Sequence, residues 1–92
     1  MYQPFYTKQF RKDIKRIEKS GDTAIEELKI VIKALVNGEQ LDSSYRDHQL
    51  KGNFKGRSEC HIQTDWLLIY KLDENEKAII FERTGSHSDL FE

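Results

Sequence analysis

Three histidines lie in the second half of this 92-residue chain, each among polar or charged neighbours: Tyr45-Arg46-Asp47-His48, Glu59-Cys60-His61 and Thr84-Gly85-Ser86-His87-Ser88. One histidine in such company is ordinarily a surface or satisfied core residue. Three, expected from a loop, a strand and a post-strand segment, can be brought to one sheet face by a compact topology. Imidazole titrates at about pH 6.5, so such a cluster supplies an acid and a base at neutral pH. RNA suits that equipment because it carries its own nucleophile, the 2′-OH. A protein then needs a base for that proton, an acid for the departing 5′ oxygen and a cation for the charge growing on phosphorus. Asp65 and the histidines His48, His61 and His87 are the candidates for proton transfer. Arg83 is the candidate cation, because its planar fork stays charged and can bind two phosphate oxygens. For an isolated arginine the ordinary reading is a sheet-surface ion pair, here with Glu82 or Glu59.

Other chemistries fit less well. His61-x-x-x-Asp65 with a second histidine could ligate a divalent ion, but there is no His-Glu-x-x-His and no thiolate pair. The step from His61 to Asp65 also crosses a strand end rather than following one helix face. No metal or cofactor is therefore expected. Cys60 is the only cysteine, so it forms no intrachain disulfide. It alternates onto the Ile62 face, which reads as burial of a small hydrophobe rather than a nucleophile. Trp66 opens an apolar strand and Phe91 is next to last. Both read first as packing residues, and both are placed where an aromatic could stack on a base.

The elements that must position these groups follow from periodicity. Tyr2 to Tyr6 reads as a short strand, in which Pro4 is restricted to an edge or to the first positions. Thr7 is an N-cap for a helix whose Phe10, Ile14 and Ile17 fall at i, i+4 and i+7, ending at Ser20-Gly21. A second helix, capped by Asp22 or Thr23 with a Thr23-x-x-Glu26 box, presents Ile25, Leu28, Ile32 and Leu35, widened by Val31 and Val36. Asn37-Gly38 ends it. After a polar loop from Glu39 to Gly52, Phe54 to Ile62 reads as a strand, Trp66 to Leu72 as a central strand, and Ala78 to Thr84 as the return strand after a turn from Asp73 to Lys77. Alternation groups Ser58, Cys60 and Ile62 against Arg57, Glu59 and His61, and groups Ile79, Phe81 and Arg83 against Ile80, Glu82 and Thr84. The helical hairpin covers one sheet face and leaves the other for chemistry.

Composition sets the outer limits. The length suits a single domain spanning 1–92, with 37% hydrophobic and 34% charged residues. No apolar run approaches the ~20 residues of a membrane span, and the N-terminus does not read as a signal peptide, so the cytoplasm is expected. The net charge of −1 conceals a stretch from Lys8 to Lys19 with a local balance of +4. Within it, Lys8, Lys12, Lys15 and Lys19 form a stripe away from the apolar one.

Three blocks carry a resemblance: Tyr45-Arg46-Asp47-His48-Gln49-Leu50-Lys51-Gly52; Glu59-Cys60-His61-Ile62-x-x-Asp65-Trp66-Leu67-Leu68-Ile69-Tyr70-Lys71; and Phe81-Glu82-Arg83-Thr84-Gly85-Ser86-His87-Ser88-Asp89-Leu90-Phe91. In this order they resemble the YafQ branch of the RelE toxin superfamily, with Gln49 standing where that family usually carries proline. The resemblance implies an α+β fold of order β-α-α-β-β-β, its helical hairpin packed on a curved antiparallel sheet. It implies cleavage of mRNA in the ribosomal A site without metal, giving a 2′,3′-cyclic phosphate and a 5′-OH. By position, His48, His61, Asp65 and His87 match the family's proton-transfer residues, Arg83 its phosphate-stabilising arginine, and Trp66 and Phe91 its site-lining aromatics. Lys51 and Arg57 are expected beside those aromatics as substrate-binding residues, and the lysine stripe as the surface that docks on rRNA. His87 is the expected general acid, carried on a flexible post-strand segment, while Asp65, His61 and His48 remain candidates for the base. The implied partner is a cognate antitoxin that neutralises the toxin and binds operator DNA. An alternative is an antitoxin-bound co-repressor with weak or no nuclease activity.

Overall fold

Two packing problems shape the fold: where the apolar stripes of the helices go, and what covers the second face of the sheet. The computed structural model describes residues 1–19, 25–52 and 56–91. In chain order it contains a strand β1 (Gln3–Tyr6), helices α1 (Lys8–Lys19) and α2 (Ile25–Val36), strands β2 (His48–Gln49), β3 (Ser58–Gln63), β4 (Trp66–Asp73) and β5 (Ala78–Gly85), and a short helix α3 (His87–Phe91). The expected order is present, with β2 added inside the polar loop and α3 added after the last strand.

The strands form one sheet in the order β1-β5-β4-β3-β2. Pairing is antiparallel from β2 to β5, while β1 joins β5 in parallel. Pro4 is accommodated because β1 is an edge strand. Thr7 caps α1 as expected: its Oγ1 accepts the Phe10 N–H at 3.0 Å and donates to the Glu82 carbonyl at 2.8 Å, tying the helix start to β5. At the end of α2, Gly38 takes a φ of +75°. The Gly38 N–H then reaches the Leu35 carbonyl and the Glu39 N–H the Ala34 carbonyl, which closes the helix with a Schellman pair. The stop expected at Ser20-Gly21, the cap at Asp22 or Thr23 and the strand start at Phe54 lie outside the described residues.

Phe10, Leu28, Val31 and Leu35 of the helices pack against Cys60, Ile62, Trp66, Leu68, Tyr70, Ile79 and Phe81, with Ile14, Ile17 and Ile32 at the margin. The rings of Tyr6 and Phe10 lie 5.4 and 6.0 Å from that of Phe81. On the other side of the sheet, Leu67 and Ile69 are buried beneath Leu90 of α3, with Leu50 alongside. β4 is therefore covered on both faces, which accounts for its unbroken apolar run.

One expectation about faces is overturned. Register pairs Ile69 with Arg83 but Tyr70 with Phe81, so Glu82 is an extra residue that shifts the phase of β5. Ile79 and Phe81 face the helices. Arg83, grouped with them by simple alternation, instead lies opposite Ile69 on the far face, and Thr84 returns to the helix side. In β3 the alternation holds: Cys60 and Ile62 face the helices, and Glu59 and His61 face away.

No helix among the described residues is long and apolar enough to cross a membrane. Because Phe81 is fully buried at the centre of an aromatic cluster, truncation removes both transfer energy and packing. Phe81→Ala should lower stability by about 3–5 kcal/mol in denaturant unfolding. A loss under ~1 kcal/mol would contradict that placement.

Candidate active site

Cross-strand register turns the face away from α1 and α2 into a grid. One row runs His48, Glu59, Ile69, Arg83 across β2, β3, β4 and β5, and its neighbour runs His61, Leu67, Gly85. With strands about 4.8 Å apart, His61 and Gly85 are separated by roughly 10 Å across Leu67. Asp65 and His87 lie just beyond the second row, in the β3–β4 turn and at the start of α3.

His48 and His61 meet at a carboxylate that sequence reasoning did not single out. Glu59 Oε2 lies 3.1 Å from His48 Nε2 and 3.9 Å from His61 Nε2, and its side chain is buried. The imidazole rings are 6.3 Å apart. His48 Nδ1 lies 2.7 Å from the Arg46 carbonyl, which can only accept, so Nδ1 carries a proton. Around this pair, the Tyr70 hydroxyl donates to Asp47 Oδ1 at 2.6 Å and the Tyr45 hydroxyl donates to Glu27. These bonds fasten the segment carrying His48 to the sheet and to α2. Burial, reinforced by Asp47, holds the Tyr70 hydroxyl protonated well beyond its usual range.

At the other end of the grid, His87 is the first residue of α3 and not part of a flexible tail. The Asp89 N–H donates to Ser86 Oγ and the Ser86 N–H donates to Asp89 Oδ2, both at 3.1 Å, in a reciprocal cap. The bond from the Ser86 backbone is the main reason the Asp89 carboxyl lies below its usual range, helped by Arg16 and Arg83. The His87 N–H donates to Asp65 Oδ1 at 3.3 Å, and the His87 and Phe91 rings are 5.3 Å apart. Leu90, one turn on from His87, packs over Leu67 and Ile69.

Arg83 pairs with neither Glu82 nor Glu59. Its Nε–H donates to Asp13 Oδ2 at 2.8 Å and its Nη2 to Asp13 Oδ1 at 3.2 Å. Asp13 is 0% exposed. That bond to Asp13 raises the Arg83 pKa, so the guanidinium stays charged. Arg16 Nη1 also reaches Asp13 at 3.3 Å, and its Nη2 lies 3.5 Å from Asp89. Gly85 makes room for this guanidinium: a Cβ there would stand 2.9 Å from Arg16 Nη2. Asp13 and Glu59 both left a faint trace in the sequence. Asp13 falls at i+3 between Phe10 and Ile17 on an apolar stripe, and Glu59 sits two residues from His61 on the same strand face.

The remaining candidates divide. Trp66 is 6% exposed on the helix side, and its Nε1–H donates to Thr84 Oγ1 at 2.6 Å. Its ring is core, not a stacking platform, although its edge lines a cleft. Phe91 is 38% exposed and keeps an accessible ring beside His87. Arg57 is held by Glu82 at 2.7 Å, and Lys51 is exposed between β2 and β3. Lys8, Lys12, Lys15 and Lys19 are exposed along α1. A cleft of about 790 Å³ bounded by Arg16, Asp65, Gly85 and Ser86 meets a second of about 330 Å³, bounded by Arg46 and His61, at Gln63 and Thr64. Burial raises the Cys60 thiol pKa strongly, which leaves it inert. Among the described residues no three His, Cys, Asp or Glu side chains gather closely enough to hold a metal ion.

Residues 2–92 match the model of a family described as the bacterial toxin of type II toxin–antitoxin systems, YafQ. The chain is 40% identical over 87 residues to the mRNA interferase toxin YafQ of Escherichia coli, an alignment covering 94% of this chain and 91% of that protein. It is similar to the crystal structure of YafQ from Escherichia coli, with a TM-score of 0.92, 36% identity and all of both chains covered. It is similar also to the toxin in the Escherichia coli DinJ–YafQ complex, with a TM-score of 0.91, 38% identity and full coverage of both chains.

The cap of α3 has a pH signature. A carboxyl lowered in the folded state contributes fully above its unfolded value of about 3.9 and is lost as pH falls through its folded one. Protection of the Ser86 amide from hydrogen exchange should hold through neutral pH and collapse only in acid, below the ordinary aspartate range. In Asp89→Ala it should be weak at every pH. Undiminished protection in that variant would remove Asp89 as the cap.

Proposed function

The chain belongs to the YafQ family of type II toxins, and on that premise we propose that it is an endoribonuclease that cuts mRNA in the ribosomal A site, by attack of the ribose 2′-OH and without a metal ion. What supports this reading most is the single sheet face that carries His48, His61 and Arg83 in register, with Asp65 and His87 at its end.

In-line displacement at phosphorus needs the base and the acid on opposite sides of the scissile phosphate. Asp65 is bonded to the backbone of His87 itself and so shares the acid's side. His61 lies across Leu67 from Gly85, which leaves room for a phosphate between it and His87. His61 therefore takes the 2′-OH proton, the 2′ oxygen attacks phosphorus, the bond to the 5′ oxygen breaks, and His87 protonates that oxygen. The products are a 2′,3′-cyclic phosphate and a 5′-OH. His48, drawn toward Glu59, lines the site beside the base. Arg83 meets the non-bridging oxygens, whose developing charge a preorganised cation stabilises more than it does the ground state. Phe91 stacks on a base next to the reacting phosphate, Lys51 steers the backbone, and Asp65 orients α3. The lysine stripe of α1 faces rRNA while the histidine face addresses the mRNA.

The Escherichia coli relative has been solved with DinJ. The same arrangement is proposed here: a cognate antitoxin that covers the toxin and carries the DNA-binding function. A pure co-repressor is distinguished by expression of the chain alone, which arrests growth if it is a toxin and leaves growth unaffected if it is not.

On programmed ribosomes, Arg83→Ala should reduce cleavage roughly 10²–10³-fold. His61→Ala and His87→Ala should each reduce it roughly 10²–10⁴-fold, with a smaller loss for Asp65→Ala. End analysis of the fragments should find 5′-hydroxyl and cyclic phosphate. A fully active His87→Ala protein, or fragments bearing 5′-phosphate, would overturn the mechanism.

A further inference from the structure

The buried acid of α1 does more than balance charge. We propose that Asp13 is a positioning residue for the reaction, holding the Arg83 guanidinium so that its remaining donors point at the scissile phosphate. The proposal rests on the reading of Arg83 as the phosphate-stabilising cation and extends it to a residue of the helix that packs along β5.

Four observations carry it. Asp13 engages Arg83 in a two-point contact through Nε and Nη2, at 2.8 and 3.2 Å. This fixes the plane of the fork, not only the position of a charge. Nη1 takes no partner among the described residues, and the Arg83 side chain keeps 29% of its surface exposed on the grid that carries the histidines. The Thr84 N–H donates to Asp13 Oδ2 at 3.1 Å, so the same carboxylate holds the backbone just after the extra residue Glu82, where β5 has changed phase. Finally, Asp13 is itself immobilised: it is fully buried in the second turn of α1 and takes further bonds from Arg16 and Gln9. A free arginine on a sheet surface would sample many rotamers, and ordering it on the substrate would cost entropy at the moment of reaction. Here the ordering is already present before RNA arrives.

A positioning role and a merely structural one give different kinetics. Asp13→Asn with its carbonyl in the place of Oδ2 keeps an acceptor for the Thr84 N–H and the Arg83 Nε–H but turns an amide N–H₂ toward Nη2, which removes the second point of contact and frees the plane of the fork. Measured on programmed ribosomes, at a temperature where circular dichroism shows the variant fully folded, kcat should fall roughly 10²-fold, as a displacement of about 1 Å can cause. KM should stay within about twofold, because binding to the ribosome does not pass through this contact. The double variant Asp13→Asn/Arg83→Gln should be no slower than Arg83→Gln alone, since there is no guanidinium left to orient. A structural defect would instead multiply the loss in both backgrounds. Should Asp13→Asn fail to fold, Asp13→Glu retains the charge opposite Arg83 while shifting it, and the same drop in kcat and the same non-additivity are expected. If Arg83→Gln lowers kcat while folded Asp13→Asn or Asp13→Glu keeps it, or if the losses multiply, the positioning role is wrong. If Arg83→Gln itself is fully active, the failure lies in the catalytic reading of Arg83.

Discussion

A carboxylate taken out of water without compensation costs several kcal/mol, and removing one member of a buried ion pair typically costs about 3–5 kcal/mol. Asp13 meets that constraint by drawing donors from two elements: Arg16 and Gln9 within α1, and Arg83 with the Thr84 amide on β5. The helix cannot slide or turn on the sheet without stripping this group of its partners, so apolar packing, which has no direction of its own, acquires a register. Thr7 adds a second fixed point by capping α1 while bonding the Glu82 carbonyl. The two anchors hold the extra residue Glu82 and the two residues just after it, where the strand changes phase.

That shift has consequences for both faces. Without the extra residue, Arg83 would face the aromatic core around Phe81, where a guanidinium has no place. With it, Glu82 takes Arg57, Arg83 joins the histidine face, and Thr84 returns to the interior to accept from Trp66 and donate to the Leu67 carbonyl. The face covered by α1 and α2 supplies stability. The other carries Phe5 and Ile80 towards its β1 edge and, nearer its centre, Leu67 and Ile69, which Leu90 covers. Around that small patch the polar groups stand in rows whose spacing is that of the strands themselves.

Net charge says little about this surface. The chain totals −1, yet Asp13 is buried and spent internally, so the outward face of α1 carries lysines opposed chiefly by Glu18. In the grid, Arg57 and Arg83 are each balanced by a carboxylate. What the grid offers an anion is donor geometry rather than the excess of positive potential that long-range steering would require. His48 and His61 both approach Glu59, at 3.1 and 3.9 Å, and placement counts for more than charge.

Much of this was legible in the residues. The stripe of Phe10, Ile14 and Ile17, the cap at Thr7, the glycine end of α2 and the doubly apolar run of β4 each follow from local periodicity or local backbone geometry, which act over a few residues and leave a mark at fixed spacing. The blocks containing His48, His61, Asp65, Arg83 and His87 carried the family resemblance, and alternation set His61 and Glu59 away from the core. What the tertiary structure decided was the partnership of residues distant in sequence: Asp13 with Arg83, Glu59 with His48, Asp65 with the backbone of His87, and Trp66 with Thr84 in the core. An extra residue in β5 becomes visible only against the strand it pairs with, because Glu82 is no different in kind from its neighbours until Ile69 and Tyr70 define the register. Short elements such as β2 and α3 also depend on distant contacts, since two or five residues cannot repay their ordering entropy alone. Local pattern specifies which face a side chain prefers; only the assembled sheet specifies what waits for it there.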